Sequence, residues 1–350
     1  MKKVLVAMSG GIDSSVAALL LKHAGFRVAG ATMCLGIESG NSRKPKCCGR
    51  EAVEDARRVC YELGIEHYVF DFSRYLKKLV IEDFVKEYLR GRTPNPCIEC
   101  NKFLKFDILL KKAFILGFDC LATGHYAKIV ERKGRYFLSK AKDRKKDQTY
   151  FLYPIRKKHL KNIIFPLADY RKKKVREIAA NRKLPNAEKP QSQDICFIDK
   201  DYGVFLRERI KDLPKGYIVD TGGKVLGKHE GICFYTIGQR KGLGLNSSSP
   251  LYVSKIDYRE NKVIAGPRDE LRKKGLYAKN LNMLVEEIPR FSNAKIRYNQ
   301  NEAECRIVKD GGGIKVIFKE AQEAITPGQS IVFYRNDIVL GGGKIYSTIN

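Results

Sequence analysis

The segment that most constrains the fold of this chain is MSGGIDSS, Met8 to Ser15. It follows the apolar run KKVLVAM and leads into the helix-like run SSVAALLLKHAG. Glycines let successive backbone N–H groups point into such a turn, and the N-terminus of the next helix adds partial positive charge. The hydroxyls of Ser9, Ser14 and Ser15 can donate to phosphate oxygens, and Asp13 can bind Mg²⁺ or cap the helix. The segment therefore predicts an anion site where a strand ends.

The residues of this segment do not match either of two common phosphate-binding motifs. It contains no G-x-x-x-x-G-K-S/T, and no G-x-G-x-x-G follows the strand. A bare Gly-Gly turn with a serine N-cap needs no ligand. The choice between an anion site and an ordinary turn therefore depends on the rest of the chain.

Strand-like and helix-like runs alternate along the first half of the chain. RVAGATMCL and IEHYVFDF read as strands, whereas EAVEDARRVCYELG and FDILLKKAFILG read as helices. This alternation favours a parallel sheet with helices on both faces. From about residue 200 the chain is glycine-punctuated, and from about residue 270 it alternates like a small antiparallel barrel. We predict an α/β protein with an N-terminal parallel-sheet domain (1–199), a small central linking domain (200–268) and a C-terminal β-barrel (269–350).

The charge balance points to a polyanionic partner. The chain has 67 Lys and Arg against 39 Asp and Glu, a formal net charge of +28, which suggests nucleic acid, although lysine-rich surfaces also serve solubility or heat tolerance. No apolar run approaches the roughly 20 residues that span a bilayer, so we expect a cytoplasmic protein without a membrane partner. The basic residues cluster in five segments: Arg132–Arg135, Lys140–Lys146, Arg156–Lys161, Arg171–Arg176 and Arg268–Lys274.

Eight of the ten cysteines fall into two groups. Cys97 and Cys100 lie in the turn-rich segment RTPNPCIECNKFLKF, and Cys196 lies in the polar segment EKPQSQDICFIDKDYGVFL. A C-x-x-C pair can be a redox dithiol, half of a zinc site, part of an iron–sulfur site or two unrelated cysteines. No second C-x-x-C exists, which weakens the zinc reading. Five cysteines in apolar periodic stretches are expected to be small core residues: Cys34, Cys60, Cys120, Cys233 and Cys305.

Several long motifs occur in one order along nearly the whole chain. They are SGGIDSS, TPNPCIECN, ATGHYAKI, KDQTYFL, SQDICFI, CFYTIGQRKGLG and PGQSIVFY. Together they resemble the bacterial tRNA-specific 2-thiouridylases, whose SGGxDS segment is the pyrophosphate loop of the ATP pyrophosphatases. The resemblance implies replacement of O2 by sulfur at the wobble uridine of tRNA, with ATP split into AMP and pyrophosphate. It also implies ATP and Mg²⁺ as cofactors, and tRNA and a sulfur-donor protein or persulfide relay as partners.

The same resemblance assigns roles to residues of this chain. Cys100 would be the nucleophile and Cys196 would carry the persulfide, with a transient disulfide between them. The ATP site would comprise Ala7, Met8, Ser9, Gly10, Gly11, Ile12, Asp13, Ser14, Met33 and Gly124. The target base would lie against Asn95, Pro96 and Cys97. The tRNA contacts would be His125, Lys146, Asp147, Gln148, Arg297, Tyr298 and Gln329.

Some alternatives stay open on the sequence. Many members of the family carry Asp where this chain has Cys97, and Cys97, Cys100 and Cys196 together could hold a 4Fe–4S cluster that delivers sulfur without a persulfide. A small-molecule AMP-forming ligase also uses SGGxDS. The basic segment Arg171–Arg176 reads as a solvated helix face, with contact to tRNA phosphate as the second reading. The segment 37–50 reads as a loop, in which Cys47 and Cys48 receive no role.

Overall fold

The computed structural model describes residues 1–36, 50–189, 195–198 and 201–350. The 37–50 loop, with Cys47 and Cys48, lies outside the described residues except for Arg50, which begins a helix. Contacts divide the chain into two compact units. The first unit comprises Met1–Val80, Cys97–Asp199 and Asn336–Val339, and the second comprises Ile81–Pro96, Lys200–Arg335 and Leu340–Asn350.

The helices and strands of the described residues are numbered in chain order. The α-helices are α1 (Ile12–His23), α2 (Arg50–Glu62), α3 (Ser73–Leu76), α4 (Glu82–Leu89), α5 (Pro96–Glu99), α6 (Leu110–Ile115), α7 (Thr149–Leu152), α8 (Lys172–Asn181) and α9 (Tyr202–Arg207). Two π-helices span Lys77–Ile81 and Cys100–Leu109, and short 3-10 helices span Lys157–Asn162, Ile232–Phe234 and Arg268–Leu271. None of the described helices has both the length and the apolarity that a membrane crossing requires.

The strands of the first unit are β1 (Lys3–Ala7), β2 (Arg27–Cys34), β3 (Glu66–Asp71), β4 (Cys120–Thr123), β5 (Lys128–Arg132), β6 (Arg135–Ser139) and β7 (Ile163–Ile164). Those that follow are β8 (Gly216–Val219), β9 (Val225–His229), β10 (Tyr252–Asp257), β11 (Lys262–Gly266), β12 (Arg272–Met283), β13 (Phe291–Lys295), β14 (Ala303–Asp310), β15 (Gly313–Glu323), β16 (Ser330–Arg335) and β17 (Ile338–Ile349).

The first unit is built on a five-stranded parallel sheet with the order β3-β2-β1-β4-β7. Successive side chains of a strand point to opposite faces. Leu5 and Val6 of β1 are both fully buried, so both faces of the sheet are covered. Val4 and Val6 share a core with Val16 of α1, Val59 of α2 and Val175 of α8. The predicted α/β fold of this part is confirmed.

A β-hairpin that the sequence analysis missed follows the parallel strands. Strands β5 and β6 pair in antiparallel fashion, and Lys133 (φ +50°) and Gly134 (φ +72°) form the turn between them. Two successive positive φ angles match the right-handed twist of a two-residue hairpin. The basic cluster Arg132–Arg135 is therefore the tip of this hairpin, whose Ser139 also pairs with Ile338.

The second unit contains a small sheet and a closed barrel. The small sheet has the order β10-β11-β8-β9 and buries Ile218, Val253 and Val263 in its own core. The barrel has the order β12-β15-β14-β13-β16-β17, and β17 pairs back onto β12. Closure pairs each of these six described strands on both sides. The predicted C-terminal β-barrel is confirmed.

Four of the five cysteines that were predicted to be core residues are confirmed, and one is not. Cys60, Cys120, Cys233 and Cys305 are buried reduced thiols, as predicted. Cys34 is half-buried and disulfide-bonded, so the prediction of a core thiol is wrong at this position.

Candidate active site

Two loops leave the sheet of the first unit at neighbouring carboxyl ends. Ala7 ends β1 and Thr123 ends β4, and the two residues pair in register. Strand β2 lies on one side of β1 and β4 on the other, which makes this the switch point of the sheet. Ligands of open α/β sheets bind outside the carboxyl ends of the strands at such a point. The Ser9–Gly11 loop and the loop after Thr123 therefore lie where a ligand is expected.

Both loops need glycine because backbone approaches them closely. Gly10 has φ +71°, and a Cβ there would lie 2.5 Å from the carbonyl oxygen of Ala52. A Cβ on Gly124 would lie 2.7 Å from the backbone nitrogen of Ser14. Real Cβ atoms do not come so near to backbone atoms, so both positions exclude larger residues.

The serines of the loop bond mainly to the loop itself. Ser14 Oγ donates to the carbonyl of Gly11 at 2.9 Å and accepts from the backbone N–H of Ser9 at 3.2 Å. Ser15 Oγ donates to the same carbonyl at 3.1 Å. Ser14 and Ser15 are buried, whereas Ser9 is exposed. Gly11 is the N-cap of α1 and no described side chain caps the helix, which leaves the N–H groups of its first turn available to an anion.

Asp13 does not cap the helix, which was one of its two expected roles. Lys172 Nζ donates to its two carboxylate oxygens at 2.6 and 2.7 Å, and the hydroxyl of Tyr126 donates to Oδ1 at 2.9 Å. The Lys172 side chain is only 12% exposed, whereas Lys173 and Lys174 beside it are exposed. The reading of Arg171–Arg176 as a solvated face is therefore wrong for Lys172.

Asn186 is a second brace of the loop that sequence reasoning missed. Its Nδ2 donates to the carbonyl of Gly10 and to Ser15 Oγ, both at 2.9 Å, and the residue is 4% exposed. In the sequence, the segment around Lys172 is notable only for its positive charge. No sequence signal indicates a role for Asn186. Of the remaining ATP-site residues, Ile12 is buried, and Met33 of β2 is half-buried.

Three reduced thiols lie near one another in the first unit. Cys97 belongs to α5 and Cys100 begins the following π-helix, and a spacing of three residues puts both on one helix face. A negative charge on Cys97 or Cys196 would raise the pKa of Cys100, so the three sulfurs lie within electrostatic range. Cys97 and Cys196 are exposed and Cys100 is half-buried. The fold thus brings Cys196 to the C-x-x-C pair despite their distance in sequence.

Burial and one lysine set the electrostatics of this thiol centre. Burial raises the pKa of Cys100 to about 11, and the nearby Lys105 opposes the rise. Burial also holds the pKa of His125 well below its ordinary value, and Lys105 adds to that effect. The ring of His125 is therefore neutral at pH 7, with Nδ1 2.7 Å from Thr123 Oγ1. Lys105 is a further site residue that sequence reasoning missed.

The reactivity of Cys100 should therefore depend steeply on pH. In a Cys97→Ser, Cys196→Ser background, we expect its alkylation rate to rise about tenfold per pH unit from pH 7 to 10 without a plateau, because only the thiolate reacts. Lys105→Gln should lower the rate at each pH, and Lys102→Gln, the matched change on the same helix, should not. Mass spectrometry of iodoacetamide-treated protein measures both. A plateau below pH 9 would contradict the buried state of this thiol.

The three thiols do not form a metal-ligand set in this arrangement. Within the described part of the chain, no group of three or more His, Cys, Asp or Glu side chains is placed to hold a metal ion. The 4Fe–4S cluster on Cys97, Cys100 and Cys196, which the sequence left as an alternative, stays a prediction.

The segment Lys146–Gln148 is anchored to the same unit by side chains that were expected to contact tRNA. Asp147 is 7% exposed and accepts from the backbone N–H of Ala141 at 3.0 Å and from Thr149 Oγ1 at 2.6 Å. Gln148 Oε1 accepts from the backbone N–H of Tyr126 at 2.9 Å. Asp147 and Gln148 thus brace the segment, while Lys146 is half-buried.

Two residues of the second unit that were expected to contact tRNA, Arg297 and Gln329, instead hydrogen-bond to neighbouring segments of the protein. Arg297 donates to the carbonyl of Ala324 at 2.6 Å and to Thr326 Oγ1 at 2.8 Å. Gln329 Nε2 donates to the carbonyls of Thr93 at 2.9 Å and Pro94 at 3.3 Å, so it holds the chain just before Asn95 and Pro96. Tyr298 is half-buried. A cavity of about 470 Å³ is lined by Thr93, Tyr202, Thr236, Ile237, Gly238, Gln239, Arg297, Thr326 and Gln329.

The sheet order and the glycine-serine loop at its switch point define a nucleotide-binding α/β protein of the HUP-domain class. Consistent with this, residues 2–200 match the tRNA methyl transferase HUP domain, residues 203–267 the PRC-barrel domain of the same name, and residues 273–345 the aminomethyltransferase beta-barrel domain. The chain is 54% identical over its whole length to tRNA-specific 2-thiouridylase MnmA 1 of Syntrophus aciditrophicus, of which it covers 94%. It is 51% identical to tRNA-specific 2-thiouridylase MnmA of Carboxydothermus hydrogenoformans, with 98% of this chain and 97% of the relative covered. The chain belongs to the tRNA-specific 2-thiouridylase (MnmA) family.

Proposed function

We propose that this protein is a cytoplasmic enzyme that replaces O2 of the wobble uridine of tRNA with sulfur and converts ATP to AMP and pyrophosphate. One observation carries the proposal: a single unit holds both a glycine-serine loop at the switch point of its sheet and three neighbouring thiols, Cys97, Cys100 and Cys196. The names of the relatives agree with this chemistry. A small-molecule AMP-forming ligase would account for the loop but not for the thiols or for the net charge of +28.

The first step is adenylation of the base. The segment Ala7–Ser14, with Met33 and Gly124, would hold ATP, and the N–H groups at the start of α1 would bind its phosphates. Asp13 would bind Mg²⁺, an oxygen-seeking ion that neutralises phosphate charge. Attack by O2 of uridine on the α-phosphorus breaks the bond to pyrophosphate and makes AMP the leaving group at C2.

The second step is sulfur transfer by the two cysteines. The terminal sulfur of a Cys196 persulfide attacks C2 and displaces AMP, which leaves the base joined to Cys196 through a disulfide. The Cys100 thiolate then attacks Sγ of Cys196, and the electron pair of the broken S–S bond goes to the sulfur on the base. The Cys100–Cys196 disulfide that remains takes two electrons from an external dithiol, and a sulfur-donor protein renews the persulfide.

The tRNA would be held by charge and by two braced segments. Lys146 and His125 in the first unit and Tyr298 in the second supply direct contacts. Asp147, Gln148, Arg297 and Gln329 act mainly by fixing the backbone around them. The target base would lie against Asn95, Pro96 and Cys97, at the start of the helix that carries Cys100.

The decisive experiment follows sulfur and pyrophosphate separately. Protein is incubated with Mg-ATP, a persulfide donor and unmodified tRNA, and 2-thiouridine is measured by mass spectrometry. Cys100→Ser and Cys196→Ser should lose thiolation but keep tRNA-dependent pyrophosphate formation. Cys97→Ser, the matched change at the neighbouring thiol, should keep pyrophosphate formation and should lower thiolation only as far as contact with the base is weakened, because the persulfide route does not use its sulfur. Full thiolation by Cys100→Ser or Cys196→Ser would refute the assigned roles, and pyrophosphate formation that needs an amino acid or ammonia would favour the ligase.

A further inference from the structure

The ion pair between Lys172 of α8 and Asp13 of α1 places a largely shielded cation beside the Ser9–Gly11 loop. Lys172 begins α8, and its backbone N–H donates to Asp143 Oδ2 at 2.9 Å, which fixes the start of the helix. Its Nζ reaches both oxygens of Asp13 and lies 5.9 Å from the ring centre of Tyr126. The side chains of Lys172 and Asp13 are 12% and 26% exposed. Ionic groups so shielded from water need a partner.

A polyphosphate cannot enter this loop beside Asp13 without a change in charge pairing. The carboxylate and the phosphates are both anions, and their repulsion is weakly screened where water is excluded. Lys172 is already at the loop, and an ammonium group has three donors, so it can move from the carboxylate to a phosphate oxygen within the same small region. Asp13 would then be free to hold the divalent cation that the proposed reaction would use.

We propose that Lys172 is a phosphate-binding residue that neutralises Asp13 while the loop is empty and donates to a phosphate oxygen when a polyphosphate binds. The inference rests on the proposed function, since it assumes that the loop takes ATP. It makes Lys172 a determinant of polyphosphate affinity. A ligand such as AMP, which lacks the β- and γ-phosphates, should gain little from it.

Titration calorimetry with ATP, pyrophosphate and AMP tests this role in three proteins. Lys172→Gln should weaken the binding of ATP and of pyrophosphate by about tenfold or more, the effect of losing one charge-assisted hydrogen bond, and should change AMP binding by less than about twofold. Lys173→Gln removes the same charge from the next residue of α8, whose side chain is exposed. It should match the wild type with all three ligands, and this separates a specific contact from the general loss of positive charge.

A further variant keeps the test valid if the unpaired Asp13 carboxylate prevents the Lys172→Gln protein from folding. Asp13→Asn, Lys172→Gln removes both charges, should fold with a thermal unfolding midpoint near that of the wild type, and should lose the preference for ATP over AMP. Unchanged ATP affinity in Lys172→Gln, or an equal loss of ATP and AMP binding, would overturn the role of the lysine alone. A wild-type protein that binds no ATP would overturn the proposed function as well.

Discussion

Gly10→Ala is expected to abolish ATP-dependent pyrophosphate formation and to destabilise the first unit. Gly10 has φ +71°, and a Cβ there would lie 2.5 Å from the carbonyl oxygen and 2.8 Å from the Cα of Ala52. Backbone cannot rotate away as a flexible side chain can. The left-handed conformation and the overlap together should cost about 3 kcal/mol. Thermal unfolding and a coupled pyrophosphate assay measure the two effects.

Gly25→Ala is the matched control for this change. Gly25 also has positive φ, +81°, but a Cβ there would have no neighbour within 4 Å. It ends α1, where a left-handed residue is common, so the substitution should cost only about 1–2 kcal/mol and leave pyrophosphate formation intact. Equal losses in Gly10→Ala and Gly25→Ala would show that backbone strain, and not the close approach to Ala52, makes glycine necessary in the loop.

The parallel sheet was predictable because its signals are local. Each buried strand reads as a short apolar run, and glycines with positive φ, Gly25 and Gly64, end the helices where the sequence indicates. The hairpin β5–β6 was missed for a different reason. Its turn residues, Lys133 and Gly134, lie within a basic cluster, which was interpreted by its charge and not as a turn. The positive φ angles of both residues show that they form the turn.

The residues of the candidate site were predictable only where they belong to a contiguous sequence motif. The glycine-serine loop and the C-x-x-C pair are contiguous in sequence, so their positions could be read directly. Lys172 and Asn186 meet the loop only through tertiary packing of the first unit, and no local pattern distinguishes Lys172 from Lys173. The π-helix at Cys100–Leu109 was likewise unpredictable, because the choice between α and π hydrogen bonding depends on what the helix packs against.

Unequal burial of the three thiols gives the proposed reaction an order. Cys196 is exposed, which suits its proposed role as the residue that accepts sulfur from a donor protein. Cys100 is half-buried with a pKa raised to about 11, so it stays protonated and weakly reactive toward small oxidants. In the proposed reaction Cys100 attacks Cys196 in the last step, and its burial would keep it from reacting before that step.

Gly328→Ala is expected to lower tRNA thiolation about 100-fold while ATP binding is kept. Gly328 has φ +95°, and a Cβ there would lie 2.8–2.9 Å from the carbonyl oxygen, carbonyl carbon and nitrogen of Thr93. The added atom must displace the chain that leads to Asn95 and Pro96, and a shift of about 1 Å at a reacting centre costs about 10²-fold. Thiolation assays and hydrogen exchange of the peptide containing Thr93 test the activity and the displacement independently.

The barrel supplies a matched control and a milder variant for that prediction. Gly312→Ala changes a glycine with φ +86° whose Cβ would meet nothing within 4 Å, so it should leave thiolation unchanged. Gln329→Leu removes the two hydrogen bonds to Thr93 and Pro94 without adding an overlap, and it should cost about tenfold. If Gly328→Ala thiolated as well as Gly312→Ala, the position of the Thr93 segment would not matter to the chemistry. If Gln329→Leu lowered tRNA affinity with no change in hydrogen exchange at Thr93, Gln329 would contact tRNA directly and would not act by holding this segment.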